Sequence, residues 1–170
     1  VKFESYTPGH HQNAVNFMAE RSIESHGQFF APYLKSGISV LDCGCGPGTI
    51  TLGIAARVKP GQVIGVDCEQ SQIDRARADA TNRGIANAAF HSANVYSLPF
   101  DDEHFNRVFS HALMEHLADP TRVLKECFRV LKPGGLFDIC SPDWAGFLFS
   151  PPSPELAQAV DAYMPLTPIL

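Results

Sequence analysis

The segment Ile38 to Thr49, ISVLDCGCGPGT, constrains the fold more than any other stretch of the chain. A short apolar run ends in an acid, Asp42, and passes at once into a loop with glycines at 44, 46 and 48. Glycine permits tight turns and lets a backbone approach a ligand closely. Helical periodicity follows from Thr49 to Val58, and a second apolar run, Gln62 to Asp67 (QVIGVD), again ends in an acid. Strand, glycine turn, helix and strand within about 30 residues is the repeating unit of a parallel sheet, whose neighbouring strands need a crossover between them.

The remaining sequence extends that alternation. Ser71 to Arg83 reads as a helix with Ile73, Ala76 and Ala80 on one face, closed by Gly84. Ala88 to Ala93 and Phe105 to His111 read as the third and fourth strands. Asp119 to Leu131 reads as an amphipathic helix stopped by Lys132-Pro133-Gly134-Gly135, and Leu136 to Ser141 as the fifth strand. Ahead of the sheet, residues 10–20 and 22–35 read as two helices, with Ser22 capping the second and Ile23, Phe30 and Leu34 at helical spacing. The expected fold is α/β, a Rossmann-like doubly wound parallel sheet with an N-terminal helical lid. It divides into a lid (1–36), a core (37–142) and a segment after the fifth strand (143–170).

Composition narrows the function. The chain has 170 residues, of which 18% are charged. That is below the roughly 25% of ordinary soluble domains and suits strands buried on both faces. Net charge is −5 and no basic block occurs, which argues against a nucleic-acid partner. No apolar run reaches the roughly 18 residues of a membrane span, and no basic-then-apolar leader opens the sequence. The five cysteines are an odd number, and most lie in apolar segments, a reduced pattern that suggests the cytoplasm. Cys43, Cys45 and Cys68 could approach one another at neighbouring strand ends, but no spacing supports a metal site, and packing is the simpler role.

Sheets of this kind bind ligands beyond the carboxyl ends of their strands. The residues there are Asp42, Asp67, Ala93-Asn94, Ser110-His111 and Ser141 to Asp143. The dinucleotide fingerprint G-x-G-x-x-G fits imperfectly: the third glycine falls one residue early, and Thr49 stands in its place. Asp67 is well spaced to accept hydrogen bonds from a ribose. Asp42 would repel a pyrophosphate at the following helix N-terminus, but would attract a nucleoside carrying a cation and an ammonium, as S-adenosyl-L-methionine does.

LDCGCGPGT with VIGVDCEQSQIDRA, then SLPFDDEHFNRVFSHALMEHLADP and ECFRVLKPGG, resembles the class I S-adenosylmethionine-dependent methyltransferases. The likeness is strongest to the small-molecule enzymes of ubiquinone and menaquinone biosynthesis, and covers roughly residues 1 to 142. It implies that Asp42, Gly44, Cys45 and Gly46 line the methionine part of the cofactor, that Asp67 holds the ribose, and that Cys68 lies beside the adenine. Asn94 stands where the family commonly has Asp facing the adenine amine, with Val95 next to it. An Asn oxygen can accept that bond without charge assistance. His111 would sit near the methionine group. Tyr6 and Arg21 would close over the cofactor from the lid; Arg21 either pairs its carboxylate or forms a surface ion pair.

Methyl transfer is a direct displacement that needs an aligned nucleophile, exclusion of water and sometimes a base. Candidate bases are His10, His11, His111, His116 and Asp143, each with an alternative packing or solvated role. The expected acceptor is a small molecule. Trp144, Phe147, Leu148 and Phe149 either line its pocket or pack in the core. The family sheet has seven strands, yet only 28 residues follow Pro142, and Ser153-Pro154-Glu155 starts a helix reaching about Met164. Three readings follow: a piece of a longer protein, a homodimer that covers the fifth-strand edge at Phe137 and Ile139, or a short form that binds cofactor with little transfer. A cofactor-binding module and an NAD-dependent oxidoreductase are the rival functions.

Overall fold

The computed structural model describes residues 12–141 together with residues 154, 155 and 158. Its sheet comprises β1 (Val40–Cys43), β2 (Val63–Asp67), β3 (Ala88–Ser92), β4 (Phe105–His111) and β5 (Leu131–Cys140). All neighbours are parallel, in the order β3-β2-β1-β4-β5. The chain winds outward from β1 to β3, then returns to the other side of β1 for β4 and β5. The direction of winding therefore reverses between β1 and β4, and a crevice opens there.

β1 is buried along its whole length because alternate residues feed two cores. Val40 packs with Val63 and Phe109 against Ile23, Phe30, Ile54 and Val58 on one face. Leu41 and Cys43 pack with Val66, Val108, Val123, Cys127 and Val130 on the other. Ile54 and Val58 come from α3 (Thr49–Val58), Val123, Cys127 and Val130 from α5 (Pro120–Val130), and Ile23 and Phe30 from the segment ahead of the sheet; α4 (Gln70–Asn82) packs beside β3. On α4, Ile73, Ala76 and Ala80 meet Phe90 of β3. Phe30, Phe105 and Phe109 are fully enclosed, each burial contributing roughly 1.5–3 kcal/mol. Asp119 caps α5 by accepting the Arg122 N–H at 3.1 Å, and Gly84, at φ +62°, follows α4 in the left-handed conformation.

Two expectations need correction. The second lid helix is not continuous from 22 to 35. After α1 (Gln12–Ala19), Ser22 and Ser25 form a reciprocal cap on α2, which covers only Ile23–His26, and a 3-10 turn follows at Ala31–Tyr33. Gly27 ends α2 by donating to the Ile23 carbonyl, and a Cβ on Gly27 would strike the Ile23 side chain. Pro32 then lacks the N–H a longer helix needs. The fifth strand also starts earlier than expected, at Leu131. Its pairing jumps from Phe105–Leu131 to Arg107–Leu136, so the Lys132 to Gly135 turn is an irregularity within β5.

β5 and β3 are the two edge strands of the sheet among the described residues. Ile139 on β5 is 42% exposed, and Phe128 of α5 is 62% exposed. No described helix is long and apolar enough to cross a membrane. Pro154, Glu155 and Gln158 are helical, within the helix expected from Ser153. Tyr6, His10, His11, Asp143, Trp144, Phe147, Leu148 and Phe149 lie outside the described residues.

Candidate functional site

The glycine loop is tied to the neighbouring strand at its root. The N–H groups of Gly44 and Cys45 both donate to the Val66 carbonyl, at 2.8 and 3.0 Å. Gly44, Gly46 and Gly48 all have left-handed φ, +73°, +50° and +80°. Gly48 is needed twice over, because a Cβ there would sit 2.7 Å from Ala76 Cβ and 2.8 Å from Phe90 Cε1. This close approach seats the start of α3 against α4 and β3.

Two acids flank the loop in different environments. Asp42 is 3% exposed, and Thr51 Oγ1 donates to its Oδ2 at 2.6 Å. Burial pushes its carboxyl up to about 7; the Thr51 bond opposes the rise, and the Asp67 charge adds to it. Asp67 is half-buried. Its Oδ2 accepts the Gly46 N–H at 2.9 Å and its Oδ1 the Glu69 N–H at 3.0 Å. Asp67 therefore holds the loop in place, and each oxygen keeps a lone pair for a ligand hydroxyl.

A cavity of about 480 Å³ opens over the carboxyl ends of β1, β2 and β4, a volume suited to a small molecule. Arg21, Asp42, Gly44, Cys45, Gly46, Asp67, Cys68, Asn94, Val95, His111 and His116 all line it. Every described residue singled out from the sequence for cofactor or catalysis thus borders one space. Asn94 carries a second, local role. Its Oδ1 accepts the Tyr96 N–H at 2.9 Å and closes a local turn. That oxygen keeps a second lone pair for a further donor.

The opposite end is rich in nitrogen. His111 is half-buried, its Nδ1 has no hydrogen-bond partner among the described residues, and the His26 ring meets it edge-on at 5.2 Å between centroids. Burial, then the charges of Arg21 and His26, bring its imidazole down to about 4. Burial also lowers His116, against the opposing pull of Glu115. The Arg21 guanidinium lies 5.2 Å from the Phe17 ring centroid. Both histidines are thus held toward the neutral form, able to accept a proton.

Cys43, Cys45 and Cys68 are not gathered together. Cys43 faces α5, with its Sγ 3.9 Å from that of Cys127, whereas Cys45 packs on the α4 side and Cys68 is exposed. Strand alternation alone would put Cys43 and Cys45 on one face, but β1 ends at Cys43 and the left-handed Gly44 turns the chain between them, while Cys68 follows β2.

Sequence reasoning missed Thr51, Gln72 and Ala112. Thr51 looked like one more position of an apolar helix. Gln72 lines the cavity at 3% exposure, its Oε1 without a partner among the described residues; its signal was a polar residue within the buried stripe of α4. Ala112, also on the cavity wall, is left-handed at φ +53°, a conformation unusual for Ala that no sequence pattern announced.

Residues 34–164 match the family model described as a methyltransferase domain. An uncharacterized methyltransferase of Schizosaccharomyces pombe is 41% identical over 123 residues, covering 69% of this chain and 44% of that protein. A demethylmenaquinone methyltransferase of Lactococcus lactis is 38% identical over 120 residues, covering 67% and 48%. The chain spans about half the length of these curated relatives. Among solved structures, an S-adenosylmethionine-dependent methyltransferase from Aquifex aeolicus shares the fold with a TM-score of 0.74 at 22% identity, covering 86% of this chain and 80% of that one. By sequence and by fold, the chain belongs to the class I S-adenosylmethionine-dependent methyltransferases.

Proposed function

We propose that the chain binds S-adenosyl-L-methionine in the cavity at the strand ends and transfers its methyl group to a small-molecule acceptor. The observation that carries this reading is the placing of two acids, Asp42 and Asp67, on either side of a left-handed glycine loop at the mouth of one cavity. Asp67 would accept from the ribose hydroxyls. Asp42, beside the start of α3, favours a cationic ligand and disfavours the pyrophosphate of a nicotinamide dinucleotide. Gly44, Cys45 and Gly46 would border the methionine part, and Cys68, Asn94 and Val95 the base.

The cofactor supplies an activated methyl group when bound. The protein's own contribution is alignment and exclusion of water by Leu113, Leu117 and Met18, which share the wall with Arg21, His111 and His116. Neutral His111 or His116 can take a proton from an acidic acceptor during attack. The demethylmenaquinone relative supports an acceptor with a large apolar part. The free cysteines suit a reducing compartment, and a cytoplasmic location belongs to this proposal.

Calorimetric titration with S-adenosylmethionine and with NAD, followed by methyl-transfer assays on a panel of quinols, phenols and sterols, tests the reading. Micromolar binding of the first ligand alone, with transfer to a panel member, is the expected result. Binding of NAD alone would overturn it, and cofactor binding with no transfer would reduce the chain to a binding module.

A further inference from the structure

The two histidines on the cavity wall have neighbours of opposite sign. His111 meets the His26 ring edge-on at 5.2 Å between centroids, and the charges of Arg21 and His26 both oppose a proton on it. His116 ends the 3-10 turn Met114–His116 that follows β4, with its Nε2 3.9 Å from Oε1 of Glu115. That separation is too long for a hydrogen bond but short enough for strong attraction between charges. Both side chains are largely buried, so solvent screens the pair little. Arg21 acts against a proton on His116 too, which leaves Glu115 as the charge that favours one. Glu115 is otherwise hard to account for. It is 6% exposed, its Oε2 has no hydrogen-bond partner among the described residues, and Met114 and Leu117 on either side of the pair pack in an apolar core. A carboxylate so placed destabilises the free protein unless a cation comes to meet it.

We propose that Glu115 is a positioning residue for His116, and that His116 rather than His111 takes the proton of a hydroxyl acceptor during methyl transfer. The inference rests on the function proposed above and divides the roles of its two histidines. As the acceptor's O–H bond breaks, an N–H bond forms on the His116 imidazole. The electron pair freed on the oxygen forms the bond to the methyl carbon, and the pair of the breaking methyl–sulfur bond stays on sulfur. The positive charge that sulfur loses thus reappears on an imidazolium with a carboxylate 3.9 Å away. At His111 the same charge would arise against Arg21 and His26. His111 therefore serves as a neutral part of the wall.

The test has two arms. The first follows the imidazole resonances of His111 and His116 against pH in the wild type, Glu115→Gln and Glu115→Asp. His116 should titrate above His111 in the wild type and fall to lower pH in Glu115→Gln, with Glu115→Asp in between. An unmoved His116 midpoint in Glu115→Gln overturns the role of Glu115, whether or not any acceptor is methylated. The second arm measures transfer at about pH 8 to para-methoxyphenol, which needs a base, and to para-nitrophenol, which is largely ionised already. His116→Gln should lose about a hundredfold or more on the first phenol, and Glu115→Gln about tenfold, with both within about threefold of wild type on the second. His111→Gln should change the two phenols alike. Equal losses on both phenols in His116→Gln, or a selective loss in His111→Gln, overturns the assignment of the base. Wild type that fails to bind S-adenosylmethionine overturns the cofactor reading instead, and the titrations still judge the pair.

Discussion

Thr51 donates a 2.6 Å hydrogen bond to Asp42 within the protein interior, one turn into the helix that follows the glycine loop. Thr51 is fully buried, and its hydroxyl is the one side-chain donor to Asp42 among the described hydrogen bonds. A bond to the ionised carboxylate favours the charged form. Thr51→Val, of nearly the same shape, should raise the Asp42 carboxyl further above its value of about 7. S-adenosylmethionine binding at pH 7 should weaken by roughly 1–3 kcal/mol, whereas Thr51→Ser should bind nearly as wild type does. Calorimetry on the three proteins checks this; equal affinities would mean that Asp42 does not meet the ligand's charge.

Asp42 also makes stability and binding respond to pH in opposite directions. Its folded value of about 7 lies above the ordinary 3.8, so between these limits the folded protein holds a proton that the unfolded chain has lost. Stability therefore falls as pH rises from about 4 to about 7, by roughly 2–4 kcal/mol at most, and is flat above. Affinity for a cationic ligand should rise over the upper part of that range, with a proton released on binding near pH 6. Asp42→Asn should melt higher at pH 7, lose the slope and bind poorly. Thermal melts and titrations in buffers of different ionisation enthalpy measure both.

Much of this site was legible because its chemistry rests on short, ordered signals. The apolar runs ending in Asp42 and Asp67, and the glycines between them, specify strand, turn and helix within a few residues of each other. What could not be read depends on three-dimensional neighbours. Nothing local shows that Asn94 would accept the Tyr96 N–H. Nothing local shows that Phe90, from a strand more than 40 residues away, would press on Gly48. The lid was misread because Ile23 and Phe30 are both buried, as a helical face would have them, although Gly27 and Pro32 deliver them through separate turns.

The glycines of the loop should differ in what they tolerate. Among the described residues a Cβ at Gly46 would find only Met18 Sδ, 3.7 Å away, so Gly46→Ala incurs left-handed strain alone, roughly 1–2 kcal/mol. A Cβ at Gly48 adds collisions with Ala76 and Phe90 to the same strain. Gly48→Ala should therefore cost roughly 2–5 kcal/mol. Urea unfolding of the two variants should show this ranking, and equal midpoints would contradict the packing at Gly48.

Arg129 braces the loop after β3, whose residues Asn94, Val95 and Tyr96 line the cavity. Its guanidinium grips Glu126 with two bonds of 3.0 and 2.9 Å, reaches Asp102 at 2.8 Å, and donates to the carbonyls of Leu98 and Phe100. Glu126 in turn accepts the Leu98 N–H at 3.0 Å. A lysine cannot reproduce the planar fork. Arg129→Lys should lower stability by roughly 1–3 kcal/mol and reduce hydrogen-exchange protection at Leu98, with cofactor affinity falling only a few fold. Unchanged protection there would show that the loop is held by its apolar contacts instead.

His111 should remain neutral across the physiological range. Burial, Arg21 and His26 bring it to about 4, below the ordinary 6.5. The unfolded chain takes up a proton at this histidine before the folded protein does, so stability falls as pH drops from about 6.5 to about 4. Partial exposure and solvent screening limit the effect to roughly 1–3 kcal/mol. Arg21→Met removes one of the charges opposing protonation and should move the His111 titration toward 6.5, as should any acid brought next to Arg21. The imidazole proton resonances of His111, followed from pH 3.5 to 8 in both proteins, test this directly. A wild-type midpoint near 6.5 would place the ring in water rather than in the cavity wall, and would remove His111 from the candidates for accepting a proton in a closed site.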